Sequence, residues 1–321
     1  MTKLIIQIPC YNEEEVLPTT LATLPRRLPG IDCIEWLVID DGSTDQTALV
    51  AESNGVDHII RFARNQGLSN SFKKGLEACV KEGADIIVNM DADNQYSADD
   101  LPKLIEPILS GKADIVIGTR PIWHTRHFST TKKILQKLGS WVVRLASKTD
   151  IPDAPSGFRA MSREAAMRLN VFNEYTYTLE TIIQAGQKGM AIMSVPVHTN
   201  ADLRPSRLVK SIPGYVARSM LTIVRIFMTY QPFRFFAIPG MILFILGFLI
   251  GLRFIYFYLT DGGSGHIQSL ILASLLMGMG FFLLIIGLVT DLIAVNRKLL
   301  EKLDWRTQKI EEALKKETFT R

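Results

Sequence analysis

From Lys3 to Arg120 the chain alternates short β-branched runs with stretches of helical periodicity. The runs are Leu4-Ile5-Ile6-Gln7-Ile8, Trp36-Leu37-Val38-Ile39, His58-Ile59-Ile60, Asp85-Ile86-Ile87-Val88 and Asp114-Ile115-Val116-Ile117, with helical patterns over residues 44–54, 68–82 and 98–109. Strand, helix, strand repetition predicts a mainly parallel sheet covered by helices on both faces, a Rossmann-like α/β domain. Past residue 230 the pattern changes. Residues 235–259 carry a single charge, Arg253, and residues 267–295 carry none until Asp291. At about 1.5 Å per residue each run is long enough to cross a bilayer with some tilt. The expected division is an α/β domain over 1–205, interfacial amphipathic helices over 206–233, two transmembrane helices over 234–296 and a cytosolic charged tail over 297–321.

Composition agrees with a divided chain. Of 321 residues 47% are apolar and 21% charged, with a mean hydropathy of +0.17, so the apolar excess must be concentrated in one part. The charge balance, 36 basic against 32 acidic residues, is too small an excess to argue for a nucleic-acid partner. Cys10, Cys33 and Cys79 are far apart with no CxxC, which speaks against a disulfide framework or a zinc site. The N-terminus runs directly into a strand pattern without a secretory signal, so the α/β domain is expected in the cytosol. The connection 260–266 has no Lys or Arg, whereas Arg218, Arg225 and Arg234 precede the first span and Arg297, Lys298, Lys302 and Arg306 follow the second. The positive-inside rule then puts both termini in the cytosol. Gly247 with Gly251, and Ser274 with Gly278, have the small-xxx-small spacing that lets helices approach closely in lipid. That spacing fits packing of the two spans on each other and a homo-oligomer alike.

In a doubly covered parallel sheet ligands sit at the carboxyl ends of the strands. The loops there read Pro9-Cys10-Tyr11-Asn12-Glu13-Glu14, Asp40-Asp41-Gly42-Ser43-Thr44, Arg64-Asn65-Gln66-Gly67 and Asp91-Ala92-Asp93-Asn94-Gln95. Ser43 and Thr44 read as helix N-caps, with ligand contact the alternative. Asp40 and Asp41, adjacent at a strand end, repel each other, and a sugar or base donor would give one of them a partner. Asp91 and Asp93, one residue apart where the backbone turns, can both reach one hard divalent cation, and Gln95 adds a neutral oxygen.

These loops, with Gly118-Thr119-Arg120 and Asp153-Ala154-Pro155-Ser156-Gly157-Phe158-Arg159, resemble the family 2 glycosyltransferases of the GT-A fold. They are most similar to the polyprenyl-phosphate group, which contains dolichyl-phosphate mannose synthase and the bacterial undecaprenyl-phosphate glucosyltransferases of the GtrB type. The resemblance implies a nucleoside pocket lined by Pro9, Tyr11 and Glu13, with Asp41 holding the base. It implies a Mg2+ or Mn2+ ion and the diphosphate at Asp91, Asp93 and Gln95, and Arg120 beside the reacting phosphates. Ser156 and Arg159, with Lys133, belong to the acceptor-phosphate side, and Arg204 and Arg207 to a basic segment that closes over the diphosphate. Asp91, Asp93, Arg120 and Arg204 form the expected catalytic set. One departure is Ser71, where many members have Ala. Gln231-Pro232-Phe233-Arg234-Phe235 only partly imitates the QxxRW of processive synthases, and two spans are too few for a polymer channel.

A lipid acceptor is also legible from the residues alone. Ile134, Leu138, Trp141, Val142 and Leu145 form one apolar stripe with Lys133, Lys137, Arg144 and Lys148 beside it, a basic amphipathic helix. Residues 206–230 repeat the pattern, and both would meet anionic membrane lipids. A lipid phosphate is already ionised at neutral pH, so it needs screening from an anionic donor rather than a general base. Glu180 either assists the reaction or supports the site. The expected function is inverting transfer of a hexose from a nucleotide-diphosphate sugar, UDP-glucose favoured by the two-span architecture, to polyprenyl phosphate at the cytoplasmic face, with a bacterial plasma membrane favoured. GDP-mannose as donor, a membrane polysaccharide synthase and a non-catalytic sugar-nucleotide-binding scaffold are the alternatives.

Overall fold

The computed structural model describes residues 1–120, 140–141, 143–144, 147, 149–171, 177–200, 220–221, 224–225, 227–262 and 266–319. The chain divides into two compact units, Met1–Ser219 and Met220–Arg321.

The first unit is built on a seven-stranded sheet of order β3-β2-β1-β4-β6-β5-β7. Its strands are β1 (Lys3–Cys10), β2 (Cys33–Asp40), β3 (His58–Arg61), β4 (Ile86–Asn89), β5 (Ile115–Thr119), β6 (Arg159–Ser162) and β7 (Ile192–Pro196). The helices are α1 (Leu17–Thr23), α2 (Thr47–Ser53), α3 (Leu68–Lys81), α4 (Leu101–Leu109), α5 (Arg163–Arg168) and α6 (Thr178–Gln187). Strand β1 lies inside the sheet, parallel to both β2 and β4. Seven of its eight residues are buried, because helices cover both faces and no side is left for water. The expectation of a mainly parallel sheet is met, with two strands beyond the five expected: β7 runs parallel to β5 at the edge, and β6 departs from the parallel pattern. Strand β6 is inserted antiparallel between β4 and β5, and its register sets Arg159 opposite both Asn89 and Ile117. The start of β6 therefore lies at the edge where the parallel strands end. Arg159-Ala160-Met161-Ser162 is too short for a periodicity to announce a strand, and only its neighbours make it one.

The second unit contains α7 (Pro232–Asp261) and α8 (Ile267–Phe319). Both are long and apolar enough to cross a membrane. They pack antiparallel through small residues. A Cβ on Gly280 would lie 2.6 Å from the carbonyl oxygen of Gly240 and from the amide nitrogen of Phe244, and one on Gly247 would lie 2.8 Å from the Ala273 carbonyl. Of the small residues singled out in the sequence, Gly247 is at this contact. Gly278 faces open space and Ser274 is exposed, so the close approach is made by Gly240, Gly247, Ala273 and Gly280 instead. Helix α8 continues without a break through the charged residues 297–319, where Arg297 lies 4.5 Å over the Tyr230 ring.

Candidate active site

The four polar loops meet at the carboxyl edge of the sheet and are stitched together by their own side chains. Asn12, in the left-handed region at φ 53°, accepts from the Thr44 amide at 2.8 Å and donates its own N–H to the Ser43 hydroxyl at 2.9 Å. The Glu13 amide donates to the Thr47 hydroxyl at 2.8 Å. The cap position of α2 is Gln46, so Ser43 and Thr44 do not cap a helix: they join the β2 loop to the β1 loop. Pro9 and Glu13 are buried, while Tyr11 is exposed at the edge.

Asp40 and Asp41 avoid repulsion through internal partners. Asp40 accepts from the Ser43 amide at 2.8 Å and pairs with Arg61 at 3.2 Å. Asp41 accepts from the backbone of Gln66 at 2.7 Å and Gly67 at 2.9 Å, ordering the β3 loop. Burial raises its carboxyl above the ordinary range despite those two amides. Gly42 has to be glycine: φ is +68°, and a Cβ would come within 2.4 Å of the Arg64 backbone.

Beyond β4 stand Asp91 and Asp93. Among the described residues no hydrogen-bond donor reaches the Asp91 carboxylate, while Asp93 accepts from the Gln95 amide at 3.2 Å. Burial, then the charge of Asp93, pushes the Asp91 carboxyl up to about 7, against the opposing pull of Arg120 and Arg159. A buried carboxylate without donors, beside a like charge, is a site that a divalent cation relieves, so the donor chemistry fits Mg2+ or Mn2+. No group of three or more His, Cys, Asp or Glu converges among the described residues, so such an ion would draw further oxygens from a ligand. The side-chain oxygen of Gln95 is directed at Arg120, 3.5 Å from its guanidinium.

Arg120 is itself gripped. Its Nε and terminal nitrogen donate to the two oxygens of Asp153 at 2.8 and 3.0 Å, and its amide adds a third bond at 3.1 Å. Burial disfavours the charge on Arg120, yet Tyr96, Asp153 and Asp91 outweigh it and hold the guanidinium well above its usual value. Arg159 differs from its expected role at an acceptor phosphate. It is fully buried and donates to Thr181 at 2.5 Å, to the Thr178 carbonyl at 3.2 Å and to the Ser156 carbonyl. Arg159 thus ties the Ser156 loop to α6, and burial pushes its guanidinium down. Ser156 is buried, 3.4 Å from the Tyr96 hydroxyl. Gly157 lies against Asp91: a Cβ there would be 2.5 Å from a carboxylate oxygen.

Several residues of this floor were not singled out by sequence. Gln7 donates to Asn89 at 2.9 Å, and Asn89 donates to the Gly157 carbonyl and the Tyr177 hydroxyl, each at 2.9 Å. The signal was a polar residue within each of two apolar strand runs. Asp153 heads the motif that ends at Arg159 but was given no role of its own, and Tyr96 had no signal. Glu180 is buried in the first turn of α6. Lys133, Arg204 and Arg207 lie outside the described residues, as do Ile134, Leu138, Val142 and Leu145 of the expected stripe. Trp141 is described and is 55% exposed, on the opposite face to the buried Ser140, Val143 and Ser147.

A mostly parallel sheet whose carboxyl edge gathers an acidic pair, a clamped arginine and a stitched pair of loops defines a GT-A glycosyltransferase fold. Among solved structures, glucosyl-3-phosphoglycerate synthase from Mycobacterium tuberculosis, in complex with Mn2+, uridine-diphosphate and phosphoglyceric acid, matches with a TM-score of 0.54 at 19% identity, over 69% of this chain and 78% of that one. This likeness concerns the fold. The Glycosyl transferase family 2 model matches residues 5–169, and the chain belongs to that family. Its relatives include the undecaprenyl-phosphate mannosyltransferase of Micrococcus luteus, 29% identical over 64% of this chain and 88% of that protein. Also similar is the UDP-N-acetylglucosamine–dolichyl-phosphate N-acetylglucosaminyltransferase of Methanococcus voltae, 30% identical over 60% of this chain and 83% of that protein. The polyprenol monophosphomannose synthase of Mycolicibacterium smegmatis is 26% identical over 64% and 80% respectively.

Proposed function

We propose that this enzyme transfers a hexose from a nucleotide-diphosphate sugar to polyprenyl phosphate at the cytoplasmic face of a membrane. The observation that carries the reading is the half-buried Asp91–Asp93 pair, in which no described donor reaches Asp91, at the ligand edge of a family 2 domain whose chain also contains two apolar helices of spanning length. The relatives named above act on polyprenyl-type phosphates, and exposed Trp141 supplies the apolar anchor that a basic amphipathic helix needs at a lipid surface.

Asp91 and Asp93 would hold Mg2+ or Mn2+, which when bound supplies positive charge to the leaving diphosphate. Arg120, oriented by the Asp153 fork, faces the same acids and keeps its charge throughout. Asp41, held by the Gln66 and Gly67 amides and the Ser71 hydroxyl, is assigned to the nucleobase, and Pro9, Tyr11 and Glu13 form the nucleoside side. Lys133, Arg204 and Arg207 are assigned to the phosphates from their sequence motifs. Arg159 supports the acceptor-side loop through the Ser156 carbonyl. The lipid phosphate attacks the anomeric carbon in line, needs no proton removed, and inverts that centre, so an α-linked donor gives a β-linked lipid phosphate sugar. Both termini are assigned to the cytosol by the flanking arginines and lysines. For the donor, UDP-glucose rests on the two-span architecture, and the mannosyl and N-acetylglucosaminyl relatives make GDP-mannose and UDP-N-acetylglucosamine its competitors.

The test is transfer of label from each of these three donors, with Mn2+ or Mg2+, to undecaprenyl phosphate by the purified full chain. Label should become extractable into organic solvent with one donor, and Asp93→Ala should abolish it. Label that stays aqueous with all three would overturn the reading.

A further inference from the structure

The loop carrying Asp91 and Asp93 is gripped from two sides by residues outside it. On one side the hydroxyl of Thr20, fully buried in α1, donates to the carbonyl of Ala92, between the two acids, at 2.8 Å. On the other, Asn200 holds three consecutive carbonyls. Its side-chain amide donates to Asn94 at 2.9 Å and to Tyr96 at 3.4 Å, and its backbone N–H donates to Gln95 at 2.9 Å. The segment that presents Asn200 leaves β7 and lies against the loop through the Tyr96–Thr199 bridge and a Ser97 to His198 backbone bond. It is moored by the buried carboxylate of Asp100, which accepts from the His198 amide at 2.5 Å and meets its imidazole at 3.0 Å.

The loop needs such a grip. Asn94 sits in the left-handed region at φ 55°, and its Oδ1 is buried without a hydrogen-bond partner among the described residues. A local bond, the Gln95 amide to the Asp93 carboxylate at 3.2 Å, shapes the turn, and the contacts of Thr20 and Asn200 add a hold from outside the loop. The turn lies directly after Asp93, in the same loop as both acids.

Resting on the metal-site reading above, we infer that Thr20 and Asn200 are positioning residues for the cation: they fix the backbone on either side of Asp93 so that its carboxylate and that of Asp91 converge. Neither touches the reacting atoms. Ligand-orienting partners of this kind are generally worth about 10- to 100-fold in metal affinity.

The experiment is a titration of the purified full chain with Mn2+ alone, reading free aqueous Mn2+ by electron paramagnetic resonance, beside steady-state transfer. Thr20→Val keeps the shape and removes the donor, Thr20→Ser restores it, and Asn200→Ala removes the second donor at an exposed position. Thr20→Val and Asn200→Ala should each weaken Mn2+ binding about tenfold and lower kcat with the acceptor KM unchanged, while Thr20→Ser binds as wild type. Wild-type Mn2+ affinity in both Thr20→Val and Asn200→Ala would overturn the inference, and Asn200→Ala decides alone if Thr20→Val does not fold. Asp93→Ala separates the two ideas. If it still binds Mn2+ normally, the metal-site reading fails; if it does not, and the positioning variants do, only the clamp fails.

Discussion

Gly157 offers a direct probe of how closely the acidic pair is placed. An alanine Cβ there would stand 2.5 Å from one Asp91 oxygen and 2.8 Å from the other. Ordinary contact begins at 3.4 Å, so the carboxylate must retreat by 3.4 − 2.5 = 0.9 Å. The backbone adds nothing to this, because Gly157 is not among the positive-φ glycines. Overpacking of this kind costs about 1–3 kcal/mol, which in a unit spanning Met1–Ser219 lowers Tm by roughly 2–12 °C. The functional effect should be larger than the structural one. A misplacement of about 1 Å in an oriented site costs on the order of 100-fold in rate, equivalent to about 2.7 kcal/mol of barrier. The assay is organic-phase label transfer at saturating donor and Mn2+, with a thermal melt of the same preparation. A variant that melts lower yet turns over at the wild-type rate would refute the reasoning, since the position of Asp91 would then be irrelevant to the chemistry.

Three other outcomes follow from the same geometry. Asp153→Asn leaves the Arg120 guanidinium buried with a weakened partner; breaking a buried pair costs about 3–5 kcal/mol, so Tm should fall by on the order of 10 °C, and an unchanged melt would show the fork to be dispensable. Because the folded Asp91 carboxyl is raised to about 7, its proton is favoured in the metal-free fold: that contribution is complete below the ordinary carboxylate pKa and is lost as pH rises through about 7. Cation binding displaces this proton, so Mn2+ affinity measured by paramagnetic resonance should be flat above about pH 7 and fall up to about tenfold per unit below it; a flat profile from pH 5 to 8 would contradict this. In the apolar hairpin, Gly280→Ala forces a Cβ to 2.6 Å from the Gly240 carbonyl oxygen whereas Gly278→Ala meets open space, so only the first should lower the melting temperature in detergent, and equal melts would count against the packing described.

The first five strands, the two apolar helices and the class of chemistry were legible in the chain alone. Strand periodicity and two long apolar runs depend on neighbours a few residues apart, and the order of the acidic and amide loops needs no tertiary contact to be read. Tertiary structure decided which polar groups are spent internally. Asp41 is engaged with the Gln66 and Gly67 amides, Arg159 with backbone carbonyls, and Arg120 with Asp153, 33 residues away. The antiparallel β6, the glycines of the hairpin and the grip of Thr20 and Asn200 on the acidic loop, from 72 and 106 residues away, belong to the same class. A hydrogen bond or a close backbone approach is fixed by distance in space, and residues so far apart in the chain carry no local pattern that announces the contact.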